Sequence, residues 1–465
     1  MYIYDSVQKT KLKFEPIQAS KATLYVCGPT VYDDAHLGHA RSALSFDLLA
    51  RSLKVSGYEV TFIRNFTDVD DKIIAKMEQT GKTLHEITDF YTNRYLEDMD
   101  ALGVLRPTIS PKATESIDAM EDMISTLISK GYAYQISNGD VYFDTSKDKL
   151  YGSLSNKVND DTVSRIEHIS EKKSPKDFAL WKACDENDNV CFDTKFGRGR
   201  PGWHIECSAM IAKYTQGTDE YSIDIHGGGA DLLFPHHENE AAQSRCATGH
   251  ALAKYWMHNG FVQVDGEKMS KSLGNSFFLK DALKAYDGEI LRFYLTSIHY
   301  RNDFNFNEID LLQSKKRLDK LYRLKKRLVG SGISAANNEF KTALVAAVQD
   351  DLNISVALSV IDEMITKSNE LLDATPNDKN LNKEIIGNIE FINTLLGFGA
   401  KDPFLYFQLG VDETLKAQIE TLIEQRSEAK KQKDFALADQ IRNQLNEMDI
   451  NIMDTAGGTV WEKLS

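Results

Sequence analysis

A cysteine and two histidines lie within thirteen residues of each other near the start of the chain, at positions 27, 36 and 39. A cysteine thiolate is a soft metal ligand. His36 and His39 are three residues apart at the start of a predicted helix, so they share one face of it. Gly38 between them allows a ligand to approach the backbone closely. Free N–H groups at the helix N-terminus and two imidazoles would suit a polyphosphate and stabilise charge developing on a reacting phosphate.

A second motif has the same kind of chemistry. Lys268 and Lys271 lie in the segment 266–275, Gly-Glu-Lys-Met-Ser-Lys-Ser-Leu-Gly-Asn. Two lysines in a loop bounded by glycines can close over a triphosphate and stabilise the departing pyrophosphate. Each motif also has a simpler interpretation when taken alone. The histidine motif can be a helix cap with two surface side chains, and the lysine motif can be solvated surface.

Four residues form a candidate metal centre: Cys27, Cys207, His236 and Glu240. They supply two sulfurs, one nitrogen and one oxygen, all of which are acceptable zinc ligands. If Pro235 begins a helix, His236 and Glu240 lie on one face of it. The residues alone leave other ligands open, namely His226, His237, Glu238 and Cys246. They also leave open that the two cysteines are small buried apolar residues.

The surrounding elements are predicted to place these groups at one sheet. A buried strand over 23–27, a helix over 37–56 that stops at Gly57 and a strand over 58–63 form a β-α-β unit, which implies a parallel sheet. The pattern returns with a strand over 221–226 and a helix over 236–248. The sequence therefore predicts an α/β fold with a parallel, Rossmann-like sheet.

The rest of the chain divides around that core. Helices are predicted near 82–102 and 113–130, and Asn138-Gly139 predicts a β-hairpin within an insertion over about 132–200. From about 276 onward the periodicity is almost only helical, with loops near 330–336 and 397–403. The segment 315–327 carries eight cations and one carboxylate, which indicates a solvated helix face or a phosphate contact.

Composition narrows the class of protein. The chain has 465 residues, a net charge of -14 and five scattered cysteines, so we expect several domains and a reducing cytoplasm rather than a secreted disulfide framework. We find no charged-then-apolar leader and no apolar run long enough to span a bilayer. The net negative charge argues against nucleic-acid binding, although the local distribution of charge matters more than the net charge.

Taken together, the two nucleotide motifs resemble the signature pair of class I aminoacyl-tRNA synthetases. The stretches 27–32, 65–72, 202–210, 226–232 and 235–240 look like the bacterial cysteinyl-tRNA synthetase family, and the similarity runs nearly end to end. The C-terminal half resembles that family's helical bundle and small anticodon-binding domain. The matching patches there are 436–442 and 454–461.

The resemblance implies roles for individual residues. The zinc ligands would be Cys27, Cys207, His236 and Glu240, with Thr67, Trp203 and His226 in the amino-acid pocket. His36, His39, Lys268 and Lys271 would be catalytic. ATP would contact Thr30, Gly38, Gly228, Asp231 and Lys271, and tRNA would contact Asp454 and Trp461. Thr67 could instead cap a helix over 68–80, Trp203 could be a core aromatic, and Trp461 could anchor the last turn. The basic segment 315–327 would then contact the tRNA backbone.

The resemblance also implies a reaction. The enzyme would activate L-cysteine with Mg²⁺-bound ATP and transfer it to the terminal ribose of tRNA(Cys), with one Zn²⁺ per chain binding the cysteine thiolate. It would be a cytoplasmic monomer without an editing domain. The alternatives are a cysteine ligase with a non-tRNA amine acceptor and a non-catalytic binding module. The expected division is 1–110 and 201–260 (catalytic), 111–200 (insertion), 261–310 (lysine motif and stem contact), 311–400 (bundle) and 401–465 (anticodon binding).

Overall fold

The structure, a computed structural model, describes residues 1–156, 171–264, 267–268, 278–455 and 458–464, without the side chains of 267 and 268. The chain forms two compact units. Unit 1 contains Met1–Asp281, Leu295–Glu308 and Ala343–Leu358, and unit 2 contains Ala282–Tyr294, Ile309–Thr342 and Ser359–Ser465. No helix in the described ranges has the length and apolar character that crossing a membrane would require.

The strands of the described residues are short, most of them three to six residues long. They are β1 Tyr2–Asp5, β2 Thr10–Lys13, β3 Lys21–Val26, β4 Glu59–Arg64, β5 Ala133–Gln135, β6 Val141–Phe143, β7 Phe178–Ala183, β8 Phe192–Thr194, β9 Gly197–Pro201, β10 Tyr221–Gly229, β11 Ala251–Asn259, β12 Val262–Val264, β13 Glu267–Lys268, β14 Phe304–Phe306, β15 Ile450–Thr455 and β16 Gly458–Lys463.

The helices of the described residues are longer and dominate the second half of the chain. They are α1 Leu37–Val55, α2 Asp71–Thr80, α3 Leu84–Ala101, α4 Ile117–Ser129, α5 Trp203–Tyr214, α6 Glu238–Thr248, α7 Leu279–Ala285, α8 Gly288–Thr296, α9 Glu308–Arg327, α10 Asn338–Gln349, α11 Ile354–Ala374, α12 Lys379–Leu396, α13 Pro403–Tyr406, α14 Glu413–Lys431 and α15 Phe435–Glu447.

A parallel sheet of strand order β11-β10-β3-β4 lies at the centre of unit 1 and confirms the predicted α/β class. Helix α1 connects β3 to β4, as predicted, and Gly57 follows it with a φ of +92° that a residue with a side chain adopts at a cost. The carboxyl ends of β3 and β10 are neighbours, because Val26 pairs with Gly227. Cys27 therefore meets the residues that follow β10, at the sheet edge where α/β proteins bind ligands.

The predicted insertion is a five-stranded sheet of order β5-β6-β7-β9-β8, antiparallel throughout. The Asn138-Gly139 hairpin is confirmed between β5 and β6, with Gly139 at a φ of +98°. Strand β9 leads directly into Gly202 and α5, so this sheet supports the helix that carries Cys207. Cys184 and Cys191 form a disulfide beside β9, a pairing that the sequence did not predict. Residues 157–170 of the insertion lie outside the described residues.

Unit 2 is mainly helical, as predicted, but the sequence missed strands in this half of the chain. Almost only helical periodicity was predicted from about 276 onward, but α14 and α15 are followed by the hairpin β15–β16. The hairpin packs with these helices around a small core of Ile419, Leu445, Ile450 and Trp461. The missed strand β14 pairs with β12 in unit 1, and β13 lies on the other side of β12. A three-residue strand such as β14 carries too little alternation to be recognised from periodicity.

Candidate metal centre and nucleotide site

Four ligand atoms from three elements meet at the carboxyl end of the parallel sheet. They belong to Cys27, Cys207, His236 and Glu240, and all lie within 4.8 Å of one another. Cys27 follows β3, Cys207 lies on α5, and Glu240 lies on α6 with His236 in the turn before it. The predicted helix start was two residues early, because α6 begins at Glu238. His236 and Glu240 nevertheless face each other, with Nε2 and Oε1 2.8 Å apart.

The distances fit one metal ion surrounded by these four atoms. The Cys27 and Cys207 sulfurs are 3.6 Å apart, and Cys207 Sγ lies 3.7 Å from His236 Nε2. Cys27 Sγ lies 3.5 Å from Glu240 Oε1. Two sulfurs bound to zinc at about 2.3 Å in a tetrahedron would be separated by about 3.8 Å. The donor set and its spacing are thus compatible with zinc.

A second group shares two of these residues. Cys27 and Glu240 also approach His226 and His237 closely enough to form an alternative ligand set. In that group Glu240 Oε2 lies 2.6 Å from His226 Nε2, and Cys27 Sγ lies 3.4 Å from His237 Nε2. Glu240 Oε1 therefore faces His236 in the first group, and Glu240 Oε2 faces His226 in the second group. The set with two sulfurs is the softer of the two and the better match to a zinc ion.

The remaining rivals from the sequence are excluded by their surroundings. The carboxylate of Glu238 accepts hydrogen bonds from the backbone N–H groups of Gly152 and Ser155 at 2.9 and 2.8 Å. Cys246 is buried in the apolar cluster of the insertion. Neither residue belongs to a ligand group in the described part of the chain.

The buried charges of the centre stabilise one another. Burial opposes ionisation of Glu240, but His226 and His236 hold the pKa of this carboxyl well below its usual value. Burial likewise opposes protonation of His236, yet Glu240 and Cys207 raise its pKa to about 10. The hydrogen bond from Cys27, with help from His236, lowers the pKa of the Cys207 thiol to about 6. Burial raises the pKa of Cys27 itself. One thiolate is thus formed readily in the absence of a metal.

The ligands are held in turn by an outer layer of polar groups. His204 and His236 share a hydrogen bond between their Nδ1 atoms at 2.9 Å, and burial lowers the pKa of His204 to about 3, so His204 is neutral. His226 is fixed between Glu240 and the carbonyl of Tyr25, 3.2 Å from its Nδ1. Such partners orient ligands and tune their basicity. His204 was missed by the sequence analysis, although it lies three residues before Cys207 on α5.

Two expected pocket residues occupy different environments. The indole of Trp203 is 41% exposed and stacks on His236 with the ring centres 4.1 Å apart, which corrects its interpretation as a core aromatic. Thr67 is buried, and its hydroxyl donates to Glu206 Oε2 at 2.8 Å. Thr67 does not cap the next helix, because Asp70 holds that position. Burial and the nearby Cys207 raise the pKa of Glu206.

The two histidines of the first motif form the cap of α1. Gly38 N donates to His36 Nδ1 at 3.1 Å, and His36 N donates to His39 Nδ1 at 3.1 Å. The rings stack with centres 3.8 Å apart. The capping interpretation and the ligand-binding interpretation are compatible, because both side chains also line a cavity.

This cavity, of about 360 Å³, joins the nucleotide motif to the metal centre. It is large enough for a small-molecule ligand. Of the residues predicted to bind substrates or metal, Cys27, Thr30, His36, Gly38, His39, Trp203 and Asp231 line it. Gly228 lies on β10, where a Cβ would come within 2.9 Å of Leu232 Cδ1 and 3.0 Å of His237 Cε1. A side chain at Gly228 would therefore disturb the wall around His237.

The second motif is described only at its first lysine. The backbone of Lys268 lies in β13 and pairs with Gln263 of β12. Residues 269–277, including Lys271, lie outside the described residues. The chain is described again from Phe278, which forms an antiparallel bridge with His36. Phe278, which follows the lysine motif, therefore lies beside His36 of the histidine motif.

Comparisons with known proteins agree with this geometry. The sequence profile of "tRNA synthetases class I (C) catalytic domain" matches residues 13–316, and that of "Cysteinyl-tRNA ligase anticodon binding domain" matches residues 412–461. The cysteine–tRNA ligase of a Sulfurovum species is 69% identical over 464 residues, which cover all of both chains. The chain belongs to the cysteine–tRNA ligase family. The Helicobacter pylori (strain P12) cysteine–tRNA ligase is 58% identical, again over the full length of both proteins.

Solved structures support the fold of this cysteine–tRNA ligase family member. Mycobacterium tuberculosis methionyl-tRNA synthetase bound by methionyl-adenylate superposes with a TM-score of 0.58 over 90% of this chain and 96% of that one, at 14% identity. A Campylobacter jejuni protein described as an arginyl-tRNA synthetase gives a TM-score of 0.53, at 15% identity, over 84% of this chain and 95% of that one. At these identities the likeness establishes the fold alone.

The residues expected to contact tRNA do not have equal access to it in this family member. Asp454 is half-exposed and accepts hydrogen bonds from Arg426 at 2.9 and 3.1 Å, Lys430 at 2.6 Å and Thr459 at 2.7 Å. Trp461 is only 5% exposed and packs in the core of the C-terminal domain. A base cannot reach a ring whose faces are covered, so this burial argues against the expected tRNA contact of Trp461.

The basic segment 315–327 forms most of α9, and many of its cations are used within unit 2. Lys315 and Arg317 form ion pairs with Asp319 and Asp362. Lys326 and Arg327 pair with Glu462 and Asp373 in the same way. These pairs neutralise charges that a phosphate backbone would need. These ion pairs argue against the expected contact between this helix and the tRNA backbone.

Proposed function

We propose that this chain makes Cys-tRNA in two steps. The carboxylate of L-cysteine attacks the α-phosphate of Mg²⁺-bound ATP, the bond to the β-phosphate breaks, and cysteinyl-adenylate and pyrophosphate form. A terminal ribose hydroxyl of tRNA(Cys), the 2′ position in class I enzymes, then takes the cysteinyl group and releases AMP. The protein supplies positioning and charge stabilisation rather than a covalent nucleophile.

One observation carries this proposal: a buried centre with two sulfurs opens on the same cavity as the histidine motif. Cys27 and the stacked His36–His39 pair both line the cavity. Cys27, Cys207, His236 and Glu240 would hold the zinc. When bound there, zinc would lower the pKa of the substrate thiol and coordinate its thiolate. Serine offers a hydroxyl that resists deprotonation and would coordinate the metal poorly. A site that requires metal coordination therefore discriminates cysteine from serine more strongly than the shape of the pocket would.

The chain's own residues would position cysteine around this centre. Trp203 forms one wall of the cavity, and its stacking on His236 keeps that ring in place. His226 lies behind the centre and holds the far oxygen of Glu240. Thr67 supports the site indirectly, through Glu206, the residue before Cys207. The role of Thr67 near the amino acid therefore depends on the placement of α5.

The nucleotide would lie along the start of α1. His36, Gly38, His39 and Thr30 would face its phosphates, and Gly228 and Asp231 would lie near the adenosine. Asp231 lines the cavity, and Gly228 keeps that part of β10 free of a side chain. Lys268 and Lys271 would neutralise the pyrophosphate as it leaves.

The partners follow from the family. We propose tRNA(Cys), L-cysteine and ATP as substrates. The regions that would act on them are the catalytic halves 1–110 and 201–260, the insertion 111–200 and the region 261–310. The domain 401–465 would bind tRNA, with Asp454 as a candidate contact. We propose that the protein is a monomer and that it acts in the cytoplasm. The alternative with a non-tRNA amine acceptor is not supported, because residues 412–461 match an anticodon-binding domain.

A titration of the cobalt-substituted protein tests the proposal. Co²⁺ reports thiolate coordination through its absorption spectrum. We expect L-cysteine, but not L-serine, to add a thiolate charge-transfer band to the wild-type spectrum. Cys207→Ser should lose most of its metal, whereas Cys246→Ser, a buried cysteine on α6 outside the centre, should keep it. Equal responses to the two amino acids, or full metal content in Cys207→Ser, would contradict the assigned centre.

A further inference from the structure

The segment that follows the lysine motif is fastened to the loop before the histidine motif. Leu279 N donates to the carbonyl of Ala35 at 2.8 Å, and Phe278 bridges to His36. Phe278 comes seven residues after Lys271 in the sequence. All of these described residues belong to unit 1. The backbone at Phe278 and Leu279 is thus in contact with Ala35 and His36, at the start of the first motif.

A largely buried carboxylate joins the same two segments through its side chain. Asp34 is 8% exposed, and its Oδ2 accepts from Lys280 Nζ at 2.5 Å. Its Oδ1 lies 3.2 Å from Arg94 Nη2, contributed by α3. The hydrogen bond from Lys280 to Asp34 raises the pKa of that lysine, which keeps it charged. Each oxygen of one acid therefore has its own cation, and the two cations come from different elements.

The position of Asp34 needs an explanation, because it also lines the cavity proposed for ATP. A lone carboxylate beside a polyphosphate would weaken binding through like-charge repulsion. With Lys280 and Arg94 attached, the three groups together carry a net positive charge, and the acid holds two cations at the wall of the cavity. A partly buried ion pair with its partners in place resists separation more than a surface pair does.

We propose that Asp34 is a positioning residue for adenylate formation: by binding Lys280 it holds the segment 278–280 against Ala35 and His36, at the start of the histidine motif. This inference rests on the proposed function. Asp34 need not contact the reacting atoms, because its effect acts through Lys280 and the 278–280 segment. Misplacement of a catalytic group by about 1 Å can cost about 100-fold in rate.

The test compares cysteine-dependent ATP–pyrophosphate exchange in full-length variants. We expect Asp34→Asn and Lys280→Met each to lower kcat for exchange about tenfold or more. The KM for cysteine should change less than twofold, since the metal centre is not touched. The double variant should lose no more than either single variant, because the two residues act as one unit. Lys280→Arg should retain most of the rate, and Lys54→Met, an exposed lysine on α1, should behave as wild type.

Transfer of cysteine from purified adenylate to tRNA and bound zinc are measured in the same variants. Both should stay within twofold of wild type, whereas a merely structural defect would lower them together with exchange. Wild-type rates in Asp34→Asn, or fully additive losses in the double variant, would overturn the inference. An absence of cysteine-dependent exchange in the wild-type protein would instead overturn the proposed function, so the two failures are distinguishable.

Discussion

Glu240 shows how closely single residues are shared in this site. One carboxylate oxygen faces His236 and Cys27, and the other is held by His226. A fully buried carboxylate of this kind stays ionised only because two imidazoles compensate for the lost water. The contacts with His226 and His236 also fix the orientation of the Glu240 carboxylate. The metal centre therefore depends on His226 as much as on the four proposed ligands.

Asp98 is a buried carboxyl that lacks this compensation. It lies on α3 at 7% exposure, and its Oδ2 has no hydrogen-bond partner among the described residues. Burial raises its pKa to about 6, although Arg94 opposes the shift. Between about pH 4 and pH 6 the folded state therefore binds more protons than the unfolded state, and stability falls as pH rises through this window.

Asp98→Asn should remove that penalty. We expect the variant to be more stable than wild type by up to about 2 kcal/mol at pH 7.5. The difference should fade as pH falls through 4, because below the unfolded-state pKa of about 3.9 the wild-type carboxyl becomes protonated in both states. Urea unfolding between pH 4 and 8 measures it. The matched control is Glu97→Gln, an exposed acid on the same helix. A difference that does not vary with pH would show that the Asp98 carboxyl titrates normally.

At the scale of elements, the placement of α5 decides where Cys207, His204 and Trp203 lie. The helix begins immediately after Gly202, whose N–H donates to the carbonyl of Leu180 on β7. A Cβ at Gly202 would lie 2.0 Å from the carbonyl oxygen of Ala179. A close backbone contact that only glycine permits thus links the insertion sheet to the helix that carries Cys207.

Gly202→Ala should push α5 away from β7. We expect a loss of about 1–3 kcal/mol in stability, as for other overpacked sites, together with a weaker affinity for zinc. Thermal unfolding and metal analysis after dialysis measure the two effects. Gly332→Ala is a suitable control, because its Cβ would meet only the flexible end of Lys383, at 3.4 Å. An unchanged zinc affinity in a destabilised Gly202→Ala would separate the sheet contact from the site.

The sequence predicted the elements around the site better than the contacts between them. The β-α-β unit, the Asn138-Gly139 hairpin and the resumption of the sheet at β10 follow from periodicity and turn residues, and the structure confirms them. The pairing of His204 with His236 joins two elements, so no local pattern reveals it. The ion pair of Asp34 with Lys280 spans 246 residues and is equally invisible in spacing. Burial of Trp461 depends on the hairpin β15–β16, which pairs two segments across a turn and was not recognised from the sequence.

At the scale of the whole molecule, the chemistry and the recognition of tRNA belong to different parts of the chain. The metal centre and the cavity lie in unit 1, whereas the residues that match an anticodon-binding domain lie in unit 2. Activation of cysteine needs no tRNA in the proposed reaction. Damage to the C-terminal domain should therefore affect charging alone.

Trp461→Ala tests this separation. Removing a buried tryptophan costs about 3–5 kcal/mol locally and should loosen the core around Ile419 and Leu445. We expect charging of tRNA to fall at least tenfold, a change equivalent to about 1.4 kcal/mol, while pyrophosphate exchange remains within twofold of wild type. Leu464→Ala, at a half-exposed leucine nearby, is the control. A parallel loss of exchange would contradict the independence of the two activities.

The central claim is that this chain charges tRNA with cysteine through a metal-dependent selection of the thiol. The most direct measurement is the charging of unfractionated bacterial tRNA with labelled cysteine, alongside labelled serine and a reaction treated with a zinc chelator. We expect charging with cysteine only, loss of charging with the chelator and recovery on adding zinc. Charging with serine at a comparable rate, or cysteine charging that persists after verified removal of zinc with Mg²⁺ still present, would contradict the proposed function.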